Sequence, residues 1–123
     1  MKFDDVCIPL EAAWSSPFVR WQGPAAEITS LDLAHRVTER ALADRGVDWP
    51  LRELVLGTTI PQLGAFYGAP TLAARLGLGA ISGPSVAQAC ATSVAALHAA
   101  ACSQQGEVDG ARLVVLTDRT SNG

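Results

Sequence analysis

No run of apolar residues in this sequence approaches the ~18 needed to cross a bilayer as a helix, so no membrane span is expected. Basic charge is scarce as well. Nine Lys and Arg stand against twelve Asp and Glu, a net charge of −3, which argues against nucleic acid or an anionic membrane as the main partner. The opening Met1-Lys2-Phe3-Asp4-Asp5 has acids where a signal peptide carries basic and apolar regions, so a cytoplasmic protein is expected. Cysteine is sparse: Cys7, Cys90 and Cys102 cannot all pair within one chain. There is no Cys-x-x-Cys and no Cys/His cluster, so neither a metal nor a redox cofactor is implied. Internal repeats and low-complexity tracts are also missing. Charged residues make up only 17% against 49% hydrophobic, enough apolar material for a core and too much for disorder. At 123 residues the chain, 1–123, fits one small unit.

The stretch from Pro9 to Pro24 reads as a loop with Trp14 and Trp21 as packing anchors. Thr29 or Ser30 can cap a helix with Asp32 in its first turn, ended by Gly46. Ala34, Val37 and Ala41 fall on its inner face, with Leu33 and Leu42 beside them. Arg36, Glu39, Arg40 and Asp44 take the wet side. His35 is expected on its surface or rim, with no acidic or nucleophilic partner. Leu54 to Thr59 is a short apolar run suited to a buried strand. A small helix is predicted from about Pro70 to Leu76, closed by Gly77 and Gly79. Ile81 to Ala89 reads as a second strand. From Cys90 to Gln104 the chain has no Gly or Pro and abundant Ala, so a helix is expected. Its small residues predict a helix buried all round and closely approached by other elements. Gly106 and Gly110 bracket a turn before a third strand, Leu113 to Leu116. Strand, helix, strand, helix, strand implies an α/β fold with parallel crossovers.

Cys90 thus falls where a strand ends and a helix begins. The positive helix end and its free N–H groups favour an anionic sulfur there and can polarise an acyl carbonyl attached to it. The competing reading is a small core cysteine. On one helix, Cys90 and Cys102 stand ~18 Å apart, too far for a disulfide. Cys7 and Cys102 are read as structural. His98 lies a little over two turns beyond Cys90, is placed near the opposite side of the helix, and is read as a poor general base for that thiol.

The segment from Val86 to Leu97, with Gln88-Ala89-Cys90-Ala91-Thr92-Ser93 at its centre, resembles the nucleophile segment of the thiolase superfamily. Other segments match in order. Ser16-Pro17-Phe18 with Gly23 resembles the Thr-Pro-Phe-Gly segment of that family. The helix ending Ala43-Asp44-Arg45-Gly46-Val47 and the strand Val55-Leu56-Gly57 follow as they do there. Gly68 to Leu78 resembles the Asn-Pro-Ala-Arg helix region, and Gly110 to Leu116 with Ser121-Asn122 resembles the strand and Met-Ser-Asn stretch after the nucleophile helix. Two places depart. Cys90-Ala91-Thr92-Ser93 is closer to ketoacyl synthases, and Thr117-Asp118-Arg119 replaces the family's Gly-Gly-x-Glu turn.

The resemblance implies the N-terminal part of the layered α/β/α thiolase fold, incomplete without a C-terminal half or partner chain. It implies an acyltransferase in which Cys90 takes an acyl group from acyl-CoA, for Claisen condensation or thiolytic cleavage, with the thioester as substrate and no other cofactor. The catalytic histidine would come from the C-terminal half, and the completed unit would form a dimer or higher oligomer. The alternatives are a ketoacyl synthase-like enzyme loaded from an acyl carrier protein, and a non-catalytic scaffold or lipid-transfer subunit.

Overall fold

The computed structural model describes residues 3–20, 22–107 and 109–118; Trp21, Arg119 and Ser121-Asn122 lie outside them. Three parallel strands form its sheet: β1 (Leu51–Gly57), β2 (Ser85–Val86) and β3 (Ala111–Leu116), in the order β2-β1-β3. Three α-helices accompany them: α1 (Ser30–Arg45), α2 (Gly68–Arg75) and α3 (Thr92–Gln104). Alternation along β1 divides the core. Leu54 and Leu56, with Leu113 and Val115 of β3, pack on one side against Leu31, Ala34, Ala69, Leu72 and Ala73 of α1 and α2. Val55 faces the other way, onto Ala96 and Ala100 of α3. The crossover through α2 runs on one face and steps from β1 to β2. The crossover through α3 runs on the opposite face and steps back past β1 to β3. Reversing both face and direction gives the two connections one hand. The expected α/β fold with parallel crossovers is therefore present.

Helix α1 follows its sequence signals closely. Thr29 is the N-cap, its Oγ1 accepting from Asp32 N–H at 3.1 Å and donating to the Asp32 carboxylate at 2.7 Å. Gly46 ends the helix in the left-handed region at φ 54°. The inner stripe is Ser30, Leu31, Ala34, Thr38 and Ala41. Thr38, 1% exposed, takes the place expected for Val37, because Thr38 completes the 3.6-residue period between Ala34 and Ala41. His35 sits on the rim as expected, but Glu39 is near it, 3.8 Å from Nε2 across one helical turn.

The Thr29 hydroxyl, and after it Arg75 at 2.8 Å, hold the Asp32 carboxyl below its ordinary 3.8 despite some opposing desolvation. A depressed carboxyl contributes stability that is complete above 3.8 and lost as pH falls through the lower folded value. Thr29→Ala should lower stability by ~1 kcal/mol at neutral pH. The gap to the wild type should narrow in urea titrations carried below pH 3.8. A gap that stays constant with pH would contradict the hydroxyl–carboxylate bond.

Helix α2 starts two residues before Pro70, which is tolerated in a first turn where its missing N–H has no partner to lose. The second strand is much shorter than the expected Ile81 to Ala89. Only Ser85 and Val86 pair, with Leu56 and Gly57. Gly83 lies against the β1 backbone, and Pro84 contributes only its carbonyl, which accepts from Leu56 N–H at 3.1 Å. Beyond Val86 the backbone turns away.

Candidate active site

Cys90 stands at the carboxyl end of the parallel sheet, the edge at which open α/β folds place ligands. A single 3-10 turn, Ala89–Ala91, carries it between β2 and α3, so α3 begins at Thr92 and not at Cys90 as expected. The cause is local. Thr92 Oγ1 accepts from Gln88 N–H at 2.8 Å and donates to Ala89 O at 2.7 Å, while Ala91 N–H bonds to Gln88 O at 3.0 Å. None of these bonds uses the Cys90 N–H.

The turn is strained. Ala89 has φ 48°, a left-handed conformation that a Cβ disfavours. No local signal in the sequence marks it, because alanine is an ordinary residue of helix or strand. Ala89→Gly should relax that strain and raise stability by ~1 kcal/mol in urea unfolding. A loss of stability would show that the turn holds no such strain.

Small residues let α3 sit close to the sheet, as its composition predicts. A Cβ at Gly57 would lie 2.6 Å from Leu116 Cδ2, 3.0 Å from Thr92 Cγ2 and 3.4 Å from the Ala96 Cβ. The far end of α3 is tied down by Arg112, whose guanidinium donates to Ser103 O at 2.7 Å and Gln104 Oε1 at 2.8 Å. Glu53 joins this group, 3.7 Å from Arg112 Nε and accepting from the Ser103 hydroxyl. Thr117 Oγ1 donates to Ser30 O at 2.9 Å, and Asp118 accepts from Thr59 N–H at 2.9 Å. Thr117 and Asp118 thus tether the sheet's carboxyl edge.

Cys90 is exposed, which removes the small-core-residue reading. Cys7 and Cys102 are exposed too, so position on the turn, and not exposure, distinguishes Cys90 from them. Helix α3 is not buried all round. Thr92, Ala96 and Ala100 face the sheet, whereas Val94 is 70% and Leu97 41% exposed. A shallow groove of about 340 Å³ on this outer face is lined by Gln88, Ala91, Val94, Ala95 and His98. His98 therefore shares a face with the residues that flank Cys90 and does not lie opposite them, since Ala91 at the helix start and His98 are seven residues, about two helical turns, apart. Its imidazole stands against Cys102, with Sγ 3.7 Å from Nδ1, and edge-on to Phe3 at 5.6 Å.

Trp14 packs against the larger core with the Arg45 guanidinium 5.8 Å from its ring, the anchoring role expected of it. The geometry presents an open sulfur on a tight turn, a helix start behind it and a neighbouring N–H directed to no bond within the turn. Such an arrangement suits attack on a carbonyl. No protein-family model, curated protein or solved structure matches the chain.

Proposed function

We propose that this chain is the nucleophile-bearing half of a thiolase-type acyltransferase, with Cys90 as the acyl acceptor. The observation that carries this reading is the exposed Cys90 on a strained turn at the carboxyl edge of a parallel sheet. In the first step the Cys90 sulfur attacks the thioester carbonyl of acyl-CoA. The carbon–sulfur bond to coenzyme A breaks, and coenzyme A leaves as a thiol carrying the proton that Cys90 gave up. The Cys90 N–H supplies one donor to the carbonyl oxygen as charge builds there. The acyl group then passes to a carbanion from a second acyl-CoA, or the reverse cleavage runs.

The remaining groups come from a C-terminal half or partner chain, including the histidine that assists proton transfer. Two features support such a covering layer. Between Glu53 and Glu107, Arg75 is the single charged side chain, so the outer face of α3 lacks the charges of a solvated helix. Leu63, Phe66 and Tyr67 after β1 are also exposed, large apolar side chains of the kind a partner surface covers.

The chain alone should therefore not turn over acyl-CoA, and adding the complementary half should restore turnover. Steady coenzyme A release by the isolated chain would defeat the split-site reading. An acyl carrier protein is the alternative donor, favoured by Cys90-Ala91-Thr92-Ser93. Presenting each donor to the assembled enzyme separates the two.

A further inference from the structure

A second concave site lies on the other face of the sheet and at its other end. Thr117, at the carboxyl end of β3, bonds to Ser30 at the start of α1. The last turns of α1 therefore point away from the edge that carries Cys90. There the strap from Trp14 to Pro17 runs alongside α1 and encloses a groove of about 460 Å³, within the range of small-molecule sites. Arg36, Arg40 and Arg45 line it against one acid, Asp44, in a chain whose net charge is −3.

The three guanidinium groups differ in commitment. Arg45 holds the strap in place, donating to Glu11 O at 3.0 Å and Ala13 O at 3.3 Å while covering one side of Trp14. Arg40 makes an open contact to Asp44 at 3.5 Å. Arg36 has no ion-pair partner among the described residues. Ser15 and Ser16 line the strap side, and the apolar lining comes from Trp14, Pro17, Val37 and Ala41. Paired phosphates match the arginine forks, and a flat heteroaromatic ring matches the indole and proline.

We propose that this groove binds a nucleoside diphosphate, with Arg36 and Arg40 on the phosphates and Trp14 beside the base. The site stands independently of the acyl chemistry at Cys90.

The test is calorimetric titration of the full chain with ADP, pyrophosphate and adenosine. ADP is expected to bind, more tightly than pyrophosphate, with at least a tenfold loss in Arg36→Ala and in Arg40→Ala. Both side chains are exposed, so circular dichroism should show these variants folded. Trp14→Leu should weaken ADP while leaving pyrophosphate unchanged. Cys90→Ala should bind ADP like the wild type, which keeps this result separate from that of the acyl assay. Absence of ADP binding, or binding unaffected by both arginine replacements, would overturn the site. ADP binding no tighter than pyrophosphate would overturn the nucleoside assignment.

Discussion

Cys90→Ala is expected to abolish acyl-enzyme formation completely in the assembled enzyme, and Cys90→Ser to reduce it to a trace. Alanine removes the sulfur that the proposed reaction acylates. Serine keeps an atom in place, but its hydroxyl is a far weaker nucleophile without a dedicated base. Because Cys90 is exposed, neither replacement opens a core cavity, and stability should change by less than ~0.5 kcal/mol. Activity loss with an unchanged urea midpoint is thus the expected pair of results. Cys7→Ser and Cys102→Ser provide the contrast, since both thiols are also exposed yet neither sits on the strained turn. Persistent labelling of the Cys90→Ala variant would assign the acceptor elsewhere.

The largest expected effect on folding comes from Gly83→Ala. A Cβ there would lie 2.1 Å from the Leu54 carbonyl oxygen and 2.8 Å from its carbon. Both are backbone atoms of the central strand, so neither can rotate aside. The segment leading into β2 would have to lift off β1, weakening the Leu56 N–H to Pro84 O bond and displacing the turn that carries Cys90. A loss of about 3 kcal/mol is expected, a large part of a small domain's stability. Gly106→Ala is the control. Gly106 has φ 82° with nothing within 4 Å of a Cβ, so its replacement should cost only the backbone strain, ~1 kcal/mol. Equal losses at the two positions would mean that close packing against β1 is not what Gly83 provides.

How much of this was legible in the sequence depended on whether the signal was local. The α1 cap and its Gly46 terminus carry their causes within a few residues and stand where expected. Strands β1 and β3 contain most of the expected apolar runs but begin earlier, at Leu51 and Ala111, and β1 ends at Gly57, short of Thr59. The parallel α/β order followed from the alternation of those elements. The start of α3 did not follow, because a threonine hydroxyl two residues beyond Cys90 closes the turn and sets the first helical residue. The length of β2 was overestimated for a related reason. Its apolar residues look strand-like, but Gly83, Pro84 and the left-handed Ala89 leave only Ser85 and Val86 paired. The exposure of the outer side of α3, against the burial all round that its composition predicts, has a different cause. An alanine-rich helix without charge carries the composition of a helix covered on every side, and this chain covers only the face with Ala96 and Ala100. Composition there records an environment that one chain does not supply. The groove beside Trp14 was invisible in sequence, since its arginines read as the wet side of α1 and its serines as loop.

The most direct measurement is intact-mass and peptide analysis of the assembled enzyme after brief exposure to acyl-CoA. One acyl group per chain on the peptide containing Cys90, discharged when acceptor is added, is the predicted result. An unmodified Cys90 peptide beside a turning-over enzyme, or an acyl group that sits only on Cys7 or Cys102, would contradict it.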